Sequence, residues 1–218
     1  MIIILLVLLL VHIIDHVSCT LSQIQYNSLK ALYDSTGGSN WKSNCNNWVF
    51  DNDLTKPCGN NWYGITCSCT SSCTITSLSI TQCNLQGSIP TEIGDLSDLD
   101  DLFLSGNSGL TGNIPSELYS LNKLVYLKLT YCAFTGKIAT QVGNLVDLKI
   151  LSLDSNKLSG MIPTQVCSLT NLETFSISFN SIDGMIPDCI GSSLSQLKYL
   201  FLYSNRLTGL NIYFDCFT

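Results

Sequence analysis

The sequence predicts an α/β solenoid, right-handed and curved, with a parallel sheet on its concave side and a helical, disulfide-containing N-terminal cap. Two observations carry this expectation. An apolar pattern recurs every 24 or 25 residues from Ile75 to Leu207, and periods of roughly 20–50 residues are the signature of stacked coils. A stretch rich in Trp and Cys stands ahead of the first coil, where a stack needs a cap to seal the open end of its core.

The elements follow in chain order. Met1 to Val11 is almost purely aliphatic, and His12, Asp15 and His16 interrupt what comes next. The run falls short of the roughly 20 residues that span a bilayer. It has the length of a secretory core, and Val17-Ser18-Cys19 supplies small residues for cleavage. Residues 1–19 therefore read as a signal peptide, with cleavage after Cys19 or Ser18. Both histidines of the chain leave with it. That removes Ser-His and Cys-His nucleophilic catalysis and His-ligated metal sites from the mature chain.

Leu21, Ile24, Leu29 and Leu32, widened by Ala31 and Tyr33, predict an amphipathic helix over 21–34, stopped by Gly37-Gly38. Trp41 to Cys73 reads as irregular and holds Trp41, Trp48 and Trp62 with Cys45, Cys58, Cys67, Cys69 and Cys73. Residues 20–73 are thus the expected N-terminal cap.

From Thr74 the coils begin. Ile75/Leu78/Ile80/Cys83/Leu85 is the first, and Leu99/Leu102/Leu104/Asn107 the second, with one extra residue before Leu110. Leu124/Leu127/Leu129/Cys132/Phe134 and Leu148/Leu151/Leu153/Asn156/Leu158 follow. Leu172/Phe175/Ile177/Asn180/Ile182 and Leu197/Leu200/Leu202/Asn205/Leu207 complete the series. The pattern fits the L-x-x-L-x-L-x-x-N/C-x-L template, so residues 74–218 are read as six leucine-rich repeats, the last incomplete. Each opens with a short strand of alternating inward and outward side chains. The Asn amides are placed to bond backbone groups of adjacent coils. Cys83 and Cys132 share that column and are expected as buried free thiols. Gly87-x-Ile89-Pro90 and its counterparts at 112–115, 160–163 and 184–187 set a turn toward the convex side, with Ala139 in place of Pro in the third coil.

This L-x-G-x-I-P pattern resembles the plant-type extracellular leucine-rich repeat of receptor-like kinase and receptor-like protein ectodomains and polygalacturonase-inhibiting proteins. Cys58-Gly-Asn-Asn-Trp62-Tyr-Gly64-Ile-Thr-Cys67 is similar to that family's cap element, and Leu29 to Trp41 resembles protist versions of the cap. The resemblance implies a Cys58–Cys67 disulfide. Cys167 and Cys189, almost one coil apart on the predicted convex side, match an arrangement in some plant-type proteins and are expected to pair. The partners of Cys45, Cys69, Cys73 and Cys216 stay open, because connectivity is not written in spacing.

Charge and composition narrow the function. The formal charge of −6 and the lack of any Lys/Arg run argue against nucleic acid as a partner. No segment after the leader is apolar enough to span a membrane. Eleven cysteines, ten after cleavage at Cys19, fit an exported, disulfide-bonded chain. For that reason Cys67-x-Cys69-x3-Cys73 reads as disulfides rather than zinc ligands, and no metal or cofactor is expected. Asp95-x-x-Asp98-x-Asp100-Asp101 lacks the spacing of a calcium loop and reads as a solvated face.

Outward aromatics on the concave strands are unnecessary for the fold, and aromatic anchors are frequent at binding interfaces. Phe103, Tyr126, Lys128, Tyr131, Asp154 and Phe179 are the expected ligand face. Tyr199, Phe201 and Tyr203 crowd the last coil, whose uncapped edge would suit a co-receptor or self-association. The chain is therefore expected to be a secreted or cell-surface recognition module, without catalysis, for a protein, peptide or glycan ligand. Two other readings are a secreted inhibitor of a cell-wall or matrix hydrolase and a truncated ectodomain of a receptor-like kinase or receptor-like protein.

Overall fold

The computed structural model describes residues 20–59 and 62–209. The expected leader and Cys216 lie outside these residues. The solenoid is there. Short strands, one per coil, pair in parallel into a concave sheet. Chain order begins with α1 (Gln23–Ser35), a helical turn α2 (Lys56–Gly59) and β1 (Ile65–Cys69) in the cap. Then come β2 (Cys73–Ser79), β3 (Gln86–Gly87), β4 (Asp101–Phe103), β5 (Gly109–Leu110), β6 (Tyr126–Lys128) and β7 (Ile150–Ser152). β8 (Ser159–Met161), β9 (Thr174–Ser176), β10 (Ser181–Met185), α3 (Cys189–Ser193), β11 (Tyr199–Phe201) and β12 (Arg206–Thr208) close the series. The concave sheet runs β1-β2-β4-β6-β7-β9-β11, with β1 antiparallel to β2 and all other pairs parallel. β8, β10 and β12 form a smaller parallel sheet after the Asn turn.

Burial follows the template. Leu78, Leu102, Leu127, Leu151 and Phe175, the central inward residue of each coil, are fully buried, as are Leu104, Leu129 and Ile177 two residues on. Each fully buried aliphatic side chain contributes about 1.5–3 kcal/mol. In the last coil Leu200, Leu202 and Leu207 are only half-buried, since no seventh coil is described to cover them. On the convex side the residue before each short 3₁₀ turn has extended backbone. Ala139 (φ −69°, ψ 149°) takes the same conformation as Pro115 and Pro163.

Ala139 has a local cause. Where neighbouring coils carry Gly94 and Gly143, the second carries Tyr119, which is buried. Its hydroxyl makes no full hydrogen bond and finds only a weak contact with the Ala139 backbone N–H. A proline at 139 would delete that N–H and put a ring carbon in its place. Burial also drives the Tyr119 phenol far above its ordinary ionisation range.

The Asn ladder joins the coils. Asn107 is fully buried. Its amide donates to Ile80 O (2.7 Å) and Leu104 O (2.8 Å), and its oxygen accepts from Cys83 N and Leu85 N. Asn156, Asn180 and Asn205 repeat the pattern, taking Phe134 N, Leu158 N and Ile182 N. Cys132 has no oxygen for the equivalent Leu110 N–H. The extra residue in the second coil resolves this by letting Leu110 N reach Asn107 O at 2.9 Å.

The cap departs from expectation in three places. Cys83 is not free but bonded to Cys45, fastening the cap to the top of the ladder. The segment read as irregular contains β1, whose exposed residues leave little apolar alternation to read. In α1, Ile24 is 61% exposed, and the inward stripe is Leu21, Gln25, Ser28/Leu29 and Leu32. Gln25 lies near the centre of that stripe and Ile24 one residue, about 100°, to its side. Tyr26, Tyr33, Trp41, Trp48, Phe50 and Trp62 pack ring on ring beneath it, with Trp48 stacked on Trp62 at 5.4 Å between centroids. The Trp48 indole N–H donates to Tyr63 O, and that of Trp41 to Thr36 O.

Cys58–Cys67 and Cys167–Cys189 are both bonded, and Cys69 pairs with Cys73. The sulfurs of Cys58, Cys69 and Cys73 lie within 4.8 Å of one another because two disulfides are neighbours. Bonded in this way they are not thiolates, the form that ligates metal. Among the described residues Cys132 alone is free, and burial pushes its thiol up to about 11.

Two outcomes follow. Replacing Asn107 with Ala strands four buried backbone groups, so Asn107→Ala should cost about 3 kcal/mol or more in urea unfolding. The cost should exceed that of Asn205→Ala at the open end. Cys132 should resist iodoacetamide at pH 8 in the folded chain and react on unfolding, read by mass spectrometry. Its raised pKa contributes stability below the ordinary value of 9.0, lost as pH rises through about 11.

Candidate concave recognition face

Register decides which outward side chains meet. Asp101, Tyr126, Ile150 and Thr174 stand side by side on successive strands, as do Phe103, Lys128, Ser152 and Ser176. The Lys128 ammonium lies over the Phe103 ring, 5.3 Å from its centroid. Phe103, Tyr126 and Lys128 therefore form one half-buried group on β4 and β6. Lys128 has no carboxylate partner among the described residues, where ion pairs join Lys30–Asp34, Lys56–Asp51, Lys123–Asp98 and Lys198–Glu173.

Asp154 stands apart from that group. Its carboxylate accepts from the Ser152 hydroxyl (2.9 Å), the Ser176 hydroxyl and the Ser178 backbone N–H (2.8 Å). These bonds tie the fourth coil to the fifth and leave little of the charge free for a ligand.

Tyr131 and Phe179 occupy a column that the repeat pattern did not reveal. Just past each strand the chain turns through left-handed backbone, at Gln82 (φ 56°), Gly106 (75°), Tyr131 (54°), Ser155 (55°), Phe179 (55°) and Ser204 (55°). Small or polar residues suit this conformation, and a bulky ring there stores about 1–3 kcal/mol of strain. The rings gain little burial in return, since Tyr131 is 65% and Phe179 52% exposed. Phe179 packs edge-on against Tyr203 in the next coil, at 5.1 Å. At the far end Tyr199 and Phe201 lie parallel and exposed.

Tyr131 also borders an open cavity of about 640 Å³ at the cap end. Thr81, Gln82, Ser105, Gly106 and Thr130 line its floor, and Lys42 of the cap completes the lining. Lys42 N donates to Cys83 O, next to the Cys45–Cys83 bond, which brings this distant residue to the concave rim. The Gln82 side chain lies over Gly106, where a Cβ would come within 2.6 Å of Gln82 Cγ. No repeat spacing points to Lys42, so the sequence alone did not place it.

Strained and exposed rings are a cost to the fold. Tyr131→Asn and Phe179→Asn should each raise stability by about 0.5–1 kcal/mol, measured by denaturant unfolding. Unchanged or lower stability would mean that the rings hold the sheet together.

Leucine-rich-repeat family models match residues 146–207 and 74–96. A probable leucine-rich repeat receptor-like protein kinase of Arabidopsis thaliana is 36% identical over 111 residues, half of this chain. That match covers 10% of the relative, so the chain spans about a tenth of its length. The SOBIR1 receptor kinase ectodomain of A. thaliana superposes with a TM-score of 0.73 at 28% identity, over 88% of this chain and 98% of that one. A chain of the A. thaliana BIR3–SERK2 complex does so with a TM-score of 0.73 at 31% identity, over 85% and 95%. With the coil template, the Gly-x-Ile-Pro turns and the cap disulfide all in place, the chain belongs to the plant-type extracellular leucine-rich-repeat family.

Proposed function

We propose that this chain is an extracellular recognition module, without catalysis of its own, that binds a protein, peptide or glycan on its concave face. The observation that carries the reading is the outward set Phe103, Tyr126, Lys128 and Tyr131. Its side chains are partly or largely open, and one of them sits in strained backbone. A fold selected for stability alone has no use for them. Four disulfides among the described residues support an oxidising, extracellular setting. No described helix is long and apolar enough to cross a membrane. In this reading Asp154 holds coils together and Phe179 extends the face toward the last coil.

The receptor-like kinase relative favours a second form of the same reading, in which the chain is ectodomain sequence of a receptor. The BIR3–SERK2 complex joins two proteins, and the half-covered last coil with exposed Tyr199, Phe201 and Tyr203 is where a co-receptor or a second copy would sit.

The test is a binding screen of the secreted chain against arrays of extracellular proteins, peptides and glycans, with Tyr126→Ala/Tyr131→Ala run in parallel. The double variant should keep its melting temperature and bind the ligand at least about tenfold more weakly, the scale of losing one interface anchor. A ligand held equally by both would move the recognition surface elsewhere.

A further inference from the structure

We propose that the cavity between Lys42 and Tyr131 binds an acidic sugar, a hexuronate ring whose carboxylate meets the Lys42 ammonium and whose apolar face lies on the Tyr131 ring. This names a ligand class for one end of the concave face and so rests on the recognition reading.

The chemistry of the walls selects the class. Lys42 is exposed and has no carboxylate partner among the described residues, in a chain of net charge −6. An unpaired cation beside a cavity favours an anionic group there. Asp154, whose backbone carbonyl accepts from Tyr131 N, has its carboxylate already held by three donors. Tyr131 contributes the only aromatic surface of the lining, and no aliphatic side chain joins it. An apolar peptide side chain would therefore find no greasy pocket.

The floor offers a ligand no backbone donors. Gln82 N donates to Ser105 O, Gly106 N to Thr130 O and Tyr131 N to Asp154 O, each between neighbouring coils. The backbone N–H groups are thus spent, and a ligand on this face meets side chains rather than free backbone donors. What remains free is side-chain polarity: the Thr81 and Thr130 hydroxyls and the Gln82 amide make no hydrogen bond within the described residues. Groups that both donate and accept suit a ring bearing several hydroxyls. The volume of about 640 Å³ falls within the rough 300–1,000 Å³ of small-ligand sites. Gln82 and Tyr131 stand two strand steps apart, about 10 Å. The Gln82 side chain lies over Gly106 in the coil between them, so the ring of the ligand rests on the Tyr131 side.

The experiment is calorimetric titration of the full secreted chain with trigalacturonate, its methyl ester and triglutamate. The acid should bind about tenfold more tightly than the ester. Lys42→Gln, an exposed substitution, should remove that difference, and Tyr131→Ala should weaken acid and ester alike. Met161→Ala, exposed on β8 and outside both the cavity and the concave face, should change neither. Equal affinity for acid and ester, or triglutamate binding that ignores Tyr131→Ala, would overturn the proposal, the latter leaving only charge attraction by an acidic peptide. No binding by any uronate, together with a ligand that depends on Tyr126, would overturn the cavity proposal while leaving recognition by the concave face intact.

Discussion

Everything in this molecule hangs on the inward-turned amide that four of the six coils carry. A coil of 24 residues turns its backbone inward once, and the turn brings N–H and C=O groups into an apolar core where no water can meet them. Asn107, Asn156, Asn180 and Asn205 answer that need. Each donates to carbonyls of its own coil and the previous one and accepts from the previous coil's N–H groups. With the polar groups matched, leucines can fill the rest of the interior. The strands keep their register, and the outward columns line up into a face.

The two cysteines in that column mark where the ladder meets special circumstances. At Cys83 no earlier coil exists, and the position serves instead to bolt the cap on through Cys45. At Cys132 the earlier coil is one residue longer and satisfies its own Leu110 N–H. The bolt has a second effect, since it carries Lys42 against the first coil and so makes a cavity wall from a residue far away in sequence.

The fold was legible in the sequence because stacking repeats the same physical demand six times. Leucine spacing, the Asn column and the Gly-x-Ile-Pro turn each declare themselves by recurrence. What did not recur was hidden. Cys83 looked like a small buried residue because its partner lies in the aperiodic cap. β1 carries no apolar alternation, and Ile24 sat plausibly on a helical stripe that in fact passes through Gln25. The left-handed column was invisible because Gln82, Tyr131 and Phe179 are not residues that announce such backbone. Of the expected ligand face, Phe103, Tyr126 and Lys128 do gather. Asp154, chosen as an outward acid, turns out to be engaged in joining two coils. Lys42 reaches the concave rim only through the docked cap.

Tyr119 and Ala139 carry an implication of another sort. Solenoids grow by duplication and lose or exchange coils by recombination, which works as long as the units are interchangeable. Here the second coil carries a buried phenol where its neighbours carry glycine, and the third carries alanine beside that phenol where other coils carry proline. The two coils are thereby keyed to each other. They can be inherited, copied or moved as a pair, but a crossover between them would set a proline ring against a tyrosine. In an otherwise modular chain, this is a point where history has become irreversible.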